Sequence, residues 1–539
     1  MTTKPSRWRF LLLFALAIVA AEMMIAGLSV AGAPAGTHWL GDTIENASDV
    51  AVYLSNIRQG ADGNILLKNL YAIEPAARRF DLFWSALGLL ARTGASPILI
   101  HETARWICTI LLVFAVFFAA RSLTTSDNEA KLATVLAFAG VSLGWIKSIW
   151  LALAHMISVT TPAAPDVSTE FSIPPTLLGG AHIILSMALL MTTLWLAWRA
   201  FERQTMRDAW LSAAALGILV CFHPYFVPLF ACYFVILLAV FARKAPIKTL
   251  AKLILPFVVC ALPSIAIYLP LAFDPVFREH HLVDNILPLA SWRTWLLVLA
   301  PFIAAFGWRI WKKKEITPRE RWVFAWIAAA LIAMFFPFPW KRKLTEGLDV
   351  ALIFATLPAW VALWNAIKSP SRIQTWANHA MFLMVAAFVP FQLLTTELAW
   401  LSNPTQQGFF YQSTGVFATW KFIHDKTPQD SVVVTDDMWA NIWTPAETDR
   451  TVFIGHAQET PGYNSKYAAW LEFDTTDDSK TANEMLDGMH ASTLLTTSTS
   501  SSAHYKSLLN ASWQPVFTSG QATVFERQDG VALDEPRKE

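Results

Sequence analysis

The sequence predicts an all-α polytopic membrane domain of about eleven transmembrane helices, N-terminus inside and C-terminus outside, followed by a small soluble α/β domain. Three observations lead there. The chain of 539 residues is 55% hydrophobic and only 15% charged, against roughly 25% charged residues in soluble domains. Apolar runs close to the ~20 residues needed to cross a bilayer recur up to the region of Leu398. Beyond about Asn403 short helix and strand signals alternate instead. A net charge of +1 supplies no field that would recruit nucleic acid, and the 25 tryptophans suit interfacial belts.

Taken in order, residues 1–9 carry Lys4, Arg7 and Arg9, and 10–32 are apolar except for Glu22 and Ser29. Ala31-Gly32-Ala33 resembles a cleavage site, but the run exceeds the ~7–15 residues of a signal h-region, so it reads as an uncleaved anchor. A large external loop follows at 33–97, ending in a helix at 79–90 that lies along the interface. Further spans are expected at 98–120, 132–150, 177–198, 210–222, 226–241, 253–270, 295–311, 322–337, 350–366 and 377–398. The short inside loops hold most of the clustered Lys and Arg, as the positive-inside rule requires.

The membrane domain thus covers 1–402 and the extracytoplasmic α/β domain 403–528, with a disordered tail at 529–539. In the α/β domain, helices are expected at 415–426, 463–473 and 481–489. Strands are expected at 431–435, 451–454, 492–496, 513–517 and 522–526, and a loop at 497–503. Cys108, Cys221, Cys232 and Cys260 sit in apolar runs without zinc or redox spacing and read as small buried hydrophobes.

The stretch 41–75 is where chemistry is expected. It is rich in carboxylates, amides and Gly, and contains Asp42, Glu45 and Asp49. Asp49 to Tyr53 is an i to i+4 step on one helical face. A carboxylate held just outside the hydrocarbon can act as a general base for an acceptor hydroxyl or as a metal ligand. A wet loop also carries acids with no such purpose. Lys341-Arg342-Lys343 falls on the outer side, against the positive-inside trend, after the rigid turn Pro337-Phe338-Pro339-Trp340. A lipid phosphate would neutralise it; snorkelling to ordinary headgroups is the plainer alternative.

Lys147, near an outer span end, could add to that site, and Asp166 and Glu170 in a second outer loop could complete an acceptor pocket. His182 and His223 lie near outer span ends, where packing is the commoner role. His280-His281 lacks partners at metal-ligand spacing. Arg450, His456 and Glu459 form a polar cluster, its 455–461 stretch following a strand, that could cover the membrane site, contact the acceptor or serve structure.

The order of a span, a short outside link, Asp49-Val50-Ala51-Val52-Tyr53, Arg58-Gln59-Gly60 and a long amphipathic loop resembles the start of the GT-C class of membrane glycosyltransferases. The resemblance extends to the topology of the whole chain, with sharp motif similarity confined to 49–75. His223-Pro224-Tyr225, Lys341-Arg342-Lys343 with Glu346-Gly347-Leu348, and 445–466 also resemble bacterial membrane proteins grouped with this class. It implies a polyprenyl-phosphate-linked sugar as donor, a lipid or glycan acceptor, and inverting, hexosyl- or mannosyl-type transfer at the outer face of the cytoplasmic membrane.

Asp49 matches the catalytic acid that the class places near an Asp-x3-Tyr pattern. Asp42, Glu45, Tyr53, Lys147, Asp166, Glu170, His223, Lys341, Arg342 and Lys343 are the expected substrate-binding residues. The tight Asp-Glu or Asp-x-Asp pair of some members is absent, which leaves a divalent cation, Mg or Mn, open. A transporter or flippase of lipid-linked sugars and a non-catalytic assembly protein stand as alternatives.

Overall fold

The computed structural model of the protein describes residues 4–41, 47–144, 171–279, 286–287, 289–367 and 407–528. Among the described residues, seven helices are long and apolar enough to cross a membrane: Arg7–Ala31, Pro97–Leu123, Ala181–Arg203, Pro224–Phe241, Ile247–Leu271, Trp292–Trp311 and Lys341–Ala366. Each matches an expected span. Two further expected spans form shorter helices, Met206–Phe222 and Arg321–Met334, which pack within the bundle. The expected span at 132–150 is corrected in its described part: the helix Asp127–Ala139 stops at Gly140, whose φ is +66°. The span expected at 377–398 lies outside the described residues.

Helix identity follows from where each side chain can go. Leu12, Leu13, Leu16, Val258 and Leu262 are exposed and suit lipid, whereas Met187, Leu190, Met191 and Leu194 are buried in the bundle core. A buried carboxyl inside the apolar region finds a partner on a neighbouring span, which offsets its cost in hydrocarbon. Helix α1 (Lys4–Ala31) carries Glu22, whose Oε1 accepts the Thr109 hydroxyl at 2.7 Å from another span.

Between the first two long spans, two of the described helices lie at close quarters. Helix α2 (Ala47–Ala61) packs on α3 (Leu82–Ala91), with a short antiparallel pairing of β2 (Leu66–Leu67) and β3 (Arg79–Phe80) nearby. The interfacial helix expected from residue 79 therefore begins at Leu82, because Asp81 caps it by accepting from the Phe83 and Trp84 amides. Gly60 and Gly88 sit at the α2–α3 crossing, where a Cβ added to Gly88 would stand 2.5 Å from the Gly60 Cα.

The terminal domain is a five-stranded mixed sheet in the order β6-β5-β7-β9-β8. Strands β5 (Val432–Thr435), β6 (Thr451–Val452) and β7 (Thr493–Thr496) run parallel, and β8 (Trp513–Ser519) and β9 (Ala522–Arg527) complete it antiparallel. Two local expectations change. The run expected as a loop at 497–503 enters a helix, Thr499–Leu508, because Ser498 caps it by accepting from the Ser501 amide. A helix also forms at Met438–Thr448, capped by Asp437, where none was expected.

This Met438–Thr448 helix packs directly on α2. The domain is held to the segment between the first two long spans by side chains and strands together. Strand β1 (Thr37–Trp39) pairs with β4 (Tyr411–Ser413), the Tyr411 hydroxyl donates to the Ser29 carbonyl at 2.8 Å, and the Tyr71 hydroxyl donates to the Ile442 carbonyl at 2.9 Å. Lys466 pairs with Glu74 at 2.7 Å, and Asn69 donates to the Glu459 carbonyl at 2.8 Å. Helix α2 is consequently buried between the domain and α3, with Val50, Ala51, Leu54 and Ile57 nearly inaccessible.

Candidate active site

Asp49 lies in the first turn of α2. The aligned peptide dipoles and free N–H groups of a helix N-terminus favour an ionised carboxylate there. Tyr53, one turn on, donates its hydroxyl toward Asp49 Oδ2 at 3.5 Å, the outer limit of a hydrogen bond. The i to i+4 relation read from the sequence is thus a physical contact. The Tyr53 ring stacks on Trp84 at 4.7 Å and meets His182 edge-on at 4.7 Å.

The second Asp49 oxygen is engaged from 407 positions away: His456 Nε2 lies 2.8 Å from Oδ1. His456 sits in the turn after β6, at the carboxyl end of parallel strands, where α/β sheets present functional loops. The close approach depends on Gly455, since a Cβ there would stand 2.7 Å from the Tyr71 ring. The Thr460 hydroxyl accepts the Gly455 amide and braces the same turn. His456 Nδ1 accepts the Gln458 amide at 3.2 Å and the Glu459 amide at 3.1 Å.

Burial by itself would raise the Asp49 pKa. The hydrogen bond and charge of His456, with the charges of Lys343 and His182, outweigh it and hold the group below its ordinary 3.8. For His456, burial disfavours the cation, while the hydrogen bond to Asp49 and the charges of Asp49 and Glu459 draw its pKa upward. The two amides aimed at Nδ1 act against protonation, because a proton there would face two amide hydrogens. In the neutral ring they place the proton on Nε2. Asp49 keeps solvent access, its side chain 35% exposed, whereas His456 is 5% exposed.

The basic triplet reaches the same neighbourhood. Lys341–Thr345 forms a 3-10 turn, and Lys343 is near enough for its charge to be felt at Asp49, His182 and His223. Its Nζ lies 4.6 Å from the centre of the Tyr225 ring. Tyr225 meets Trp340 edge-on at 5.2 Å, and Trp340 stacks on Phe338 at 4.5 Å. The His223-Pro224-Tyr225 and Pro337-to-Lys343 stretches, separate in sequence, therefore form one aromatic and cationic corner. Behind it, buried Glu346 accepts the Ser186 hydroxyl and lies 3.6 Å from His223 Nε2. Lys341 and Arg342 are half-buried in the same turn.

Farther along α2 from Asp49, Val52 and Asn56 line an open recess. Tyr71, Arg79, Asp274 and Glu459 help to line it. Asn56 is buried, and among the described residues its Nδ2 makes no hydrogen bond.

The structure therefore brings together Asp49, Tyr53, His223 and Lys343. Asp42, Glu45, Lys147, Asp166, Glu170 and the His280-His281 pair lie outside the described residues. Arg450 separates from its expected cluster: it donates to Thr427, Thr448 and His424 inside the domain. Sequence reasoning passed over Arg79, Asn56, Ser186 and Glu346 as site neighbours. Glu346 stood in a stretch singled out by resemblance, but Arg79 and Asn56 carried no motif. Among the described residues no cluster of three or more His, Cys, Asp and Glu is arranged for a metal. The described groups acting on Asp49 are two imidazoles and an ammonium.

No protein-family model and no curated protein matches the sequence. Among solved structures, the arabinofuranosyltransferase AftD from Mycobacteria matches with a TM-score of 0.55 at 12% identity, over 96% of this chain and 41% of that one. ArnT from Cupriavidus metallidurans, bound to undecaprenyl phosphate, matches with a TM-score of 0.52 at 12% identity, over 95% of this chain and 97% of ArnT. The oligosaccharyltransferase AglB from Archaeoglobus fulgidus aligns over 90% of this chain and 69% of its own, at 12% identity and a TM-score of 0.48. AftD and ArnT are GT-C glycosyltransferases. At such identity the likeness is one of fold, and it is the fold that the first loop's resemblance implied.

Proposed function

We propose that the protein is a membrane glycosyltransferase that moves a sugar from a polyprenyl-phosphate donor to an acceptor hydroxyl, with inversion, at the outer face of the cytoplasmic membrane. The observation that carries this reading is that an ionised, accessible Asp49 and the cation Lys343 are electrostatically coupled, although 294 positions part them in the sequence. One group can take a proton and the other can hold a phosphate. The fold shared with ArnT and AftD supports the same class of chemistry.

In this reading the acceptor hydroxyl oxygen attacks the anomeric carbon while the bond from that carbon to the phosphate oxygen breaks. Its proton passes to Asp49, and the bonding electrons leave with the polyprenyl phosphate. Lys343, with Lys341 and Arg342, neutralises the charge growing on the departing phosphate. A single displacement by one base inverts the anomeric configuration. The recess beside Val52 and Asn56 receives the acceptor, and the unspent Asn56 amide can donate to one of its oxygens. The hexosyl or mannosyl type of sugar belongs to the proposal, as do roles for Asp42, Glu45, Lys147, Asp166 and Glu170 around the substrates.

The test is transfer of radiolabelled sugar from synthetic undecaprenyl-phosphate hexoses in membranes containing the protein. Transfer that Asp49→Asn abolishes supports the reading. Transfer by Asp49→Asn at the wild-type rate, or protein-dependent movement of intact donor across vesicles without cleavage, overturns it.

A further inference from the structure

We propose that His456, supplied by the terminal domain, is a positioning residue for Asp49: its Nε2–H occupies Oδ1 and leaves Oδ2 as the oxygen that takes the acceptor proton. The proposal rests on Asp49 serving as the base. It adds that the site is incomplete without the soluble domain, and that the two oxygens of the carboxylate have different tasks.

The geometry carries it in three steps. First, the Nε2 to Oδ1 distance of 2.8 Å is that of a strong hydrogen bond to a charged acceptor. Second, the direction of donation is set locally. With the Gln458 and Glu459 amides both donating to Nδ1, that nitrogen must be an acceptor, so the ring proton sits on Nε2 and points at Asp49. Third, among the described residues Oδ2 has only the long 3.5 Å contact from the Tyr53 hydroxyl. It is the oxygen on the side of Tyr53, whose ring contacts Trp84 and His182 of the membrane domain. A substrate hydroxyl can replace that loose contact without breaking a good one.

The surrounding charges fit this division. Asp49 is faced by His456 from the β6 turn, Lys343 from the 3-10 turn, His182 from the Ala181–Arg203 helix, and the hydroxyls of Tyr53 and Tyr71. His456 is faced by Asp49 and Glu459. Lys343 and His182 can both stabilise a carboxylate, but only His456 makes a close directional contact with Oδ1 among the hydrogen bonds described. Losing it frees Oδ1 to rotate into the acceptor's place and removes the strongest influence lowering the Asp49 pKa.

The experiment reads the carboxyl group directly, so its outcome does not depend on finding the right sugar. The full-length protein in detergent is treated with a water-soluble carbodiimide, which labels protonated carboxyls. The Asp49 peptide is quantified by mass spectrometry across pH for wild type, His456→Ala and His456→Gln. Gln can place an amide N–H near the Nε2 position and so keeps the donor while losing the imidazole. The expected labelling midpoint lies below about 4 in wild type and within about 0.3 unit of that in His456→Gln, and rises by about 1 unit in His456→Ala, the size of one lost hydrogen bond to a carboxylate.

Where the transfer assay is active, kcat should fall at least about tenfold in His456→Ala and stay within about threefold in His456→Gln, with donor KM little changed, as removal of a transition-state contact predicts. An unmoved midpoint in monodisperse His456→Ala overturns the proposal. So does a His456→Gln midpoint as high as that of His456→Ala. If His456→Ala does not fold, the His456→Gln midpoint decides: at the wild-type value it supports the proposal, and raised it overturns it. An inactive wild type that shows the expected midpoints would overturn the transferase reading while leaving the Asp49–His456 assignment standing.

Discussion

At the scale of the residue, Asp49 is held as an anion by neighbours from three parts of the chain. Burial pushes its pKa up, and His456, Lys343 and His182 more than reverse that push. A carboxylate whose folded pKa lies below its ordinary value contributes stability that is complete above that ordinary value and is lost as pH falls through the folded one. The expected outcome is that sugar transfer shows no acid limb between pH 5 and about 7, declining only below about pH 4 as Asp49 takes its proton. A pH profile of kcat in reconstituted membranes checks this. Asp49→Asn keeps the size of the side chain and removes its basicity, so kcat should drop at least about 100-fold, the usual contribution of a positioned base. Thermal unfolding of that variant should move little by comparison, since the amide can still accept from His456 through its oxygen.

At the scale of the element, the turn at Lys341–Thr345 and the crossing of α2 on α3 each make a prediction. Lys343 lies over the Tyr225 ring, which fixes its reach. Lys343→Ala should raise donor KM about tenfold or more, as expected for one lost charge-assisted contact to phosphate, and lower kcat as well if the same contact strengthens in the transition state. Initial-rate kinetics with varied donor separate the two effects. At the crossing, Gly88 and Gly60 bring two backbones into contact, and a Cβ on Gly88 would meet backbone rather than a movable side chain. Gly88→Ala should cost about 1–3 kcal/mol through forced separation of the helices. It would lower the unfolding temperature and displace the helix that carries Asp49, so activity should fall with stability.

At the scale of the whole molecule, the terminal domain and the segment between the first two long spans form one structural unit. Tyr71 is buried between them, its hydroxyl spent on Ile442 and its ring against Gly455. Tyr71→Ala should cost about 3–5 kcal/mol, as for other large aromatic truncations. Limited proteolysis should then cut the β6 turn faster, while the spans keep their protection.

How much of this was legible beforehand differs by level. Each of the seven long apolar helices was readable, because hydrocarbon imposes one local rule on every residue of a span. So were Asp49 and Tyr53 as a pair, since helical spacing is local too. The helix at Thr499–Leu508 was not, because a run of small polar residues becomes helical only through a cap such as Ser498. Nor was the stop at Gly140, which depends on a backbone angle rather than on hydropathy.

By itself, then, the sequence pointed to a membrane bundle, an acidic loop after the first span, a basic triplet after a rigid turn and a terminal α/β domain. These follow from composition and short-range periodicity. Only the tertiary structure decided that His456 meets Asp49, that Arg450 does not join them, and that Lys343 shares their field. Such partnerships link residues hundreds of positions apart, and no local pattern encodes which of several exposed polar groups the packing of a separate domain will bring within 3 Å.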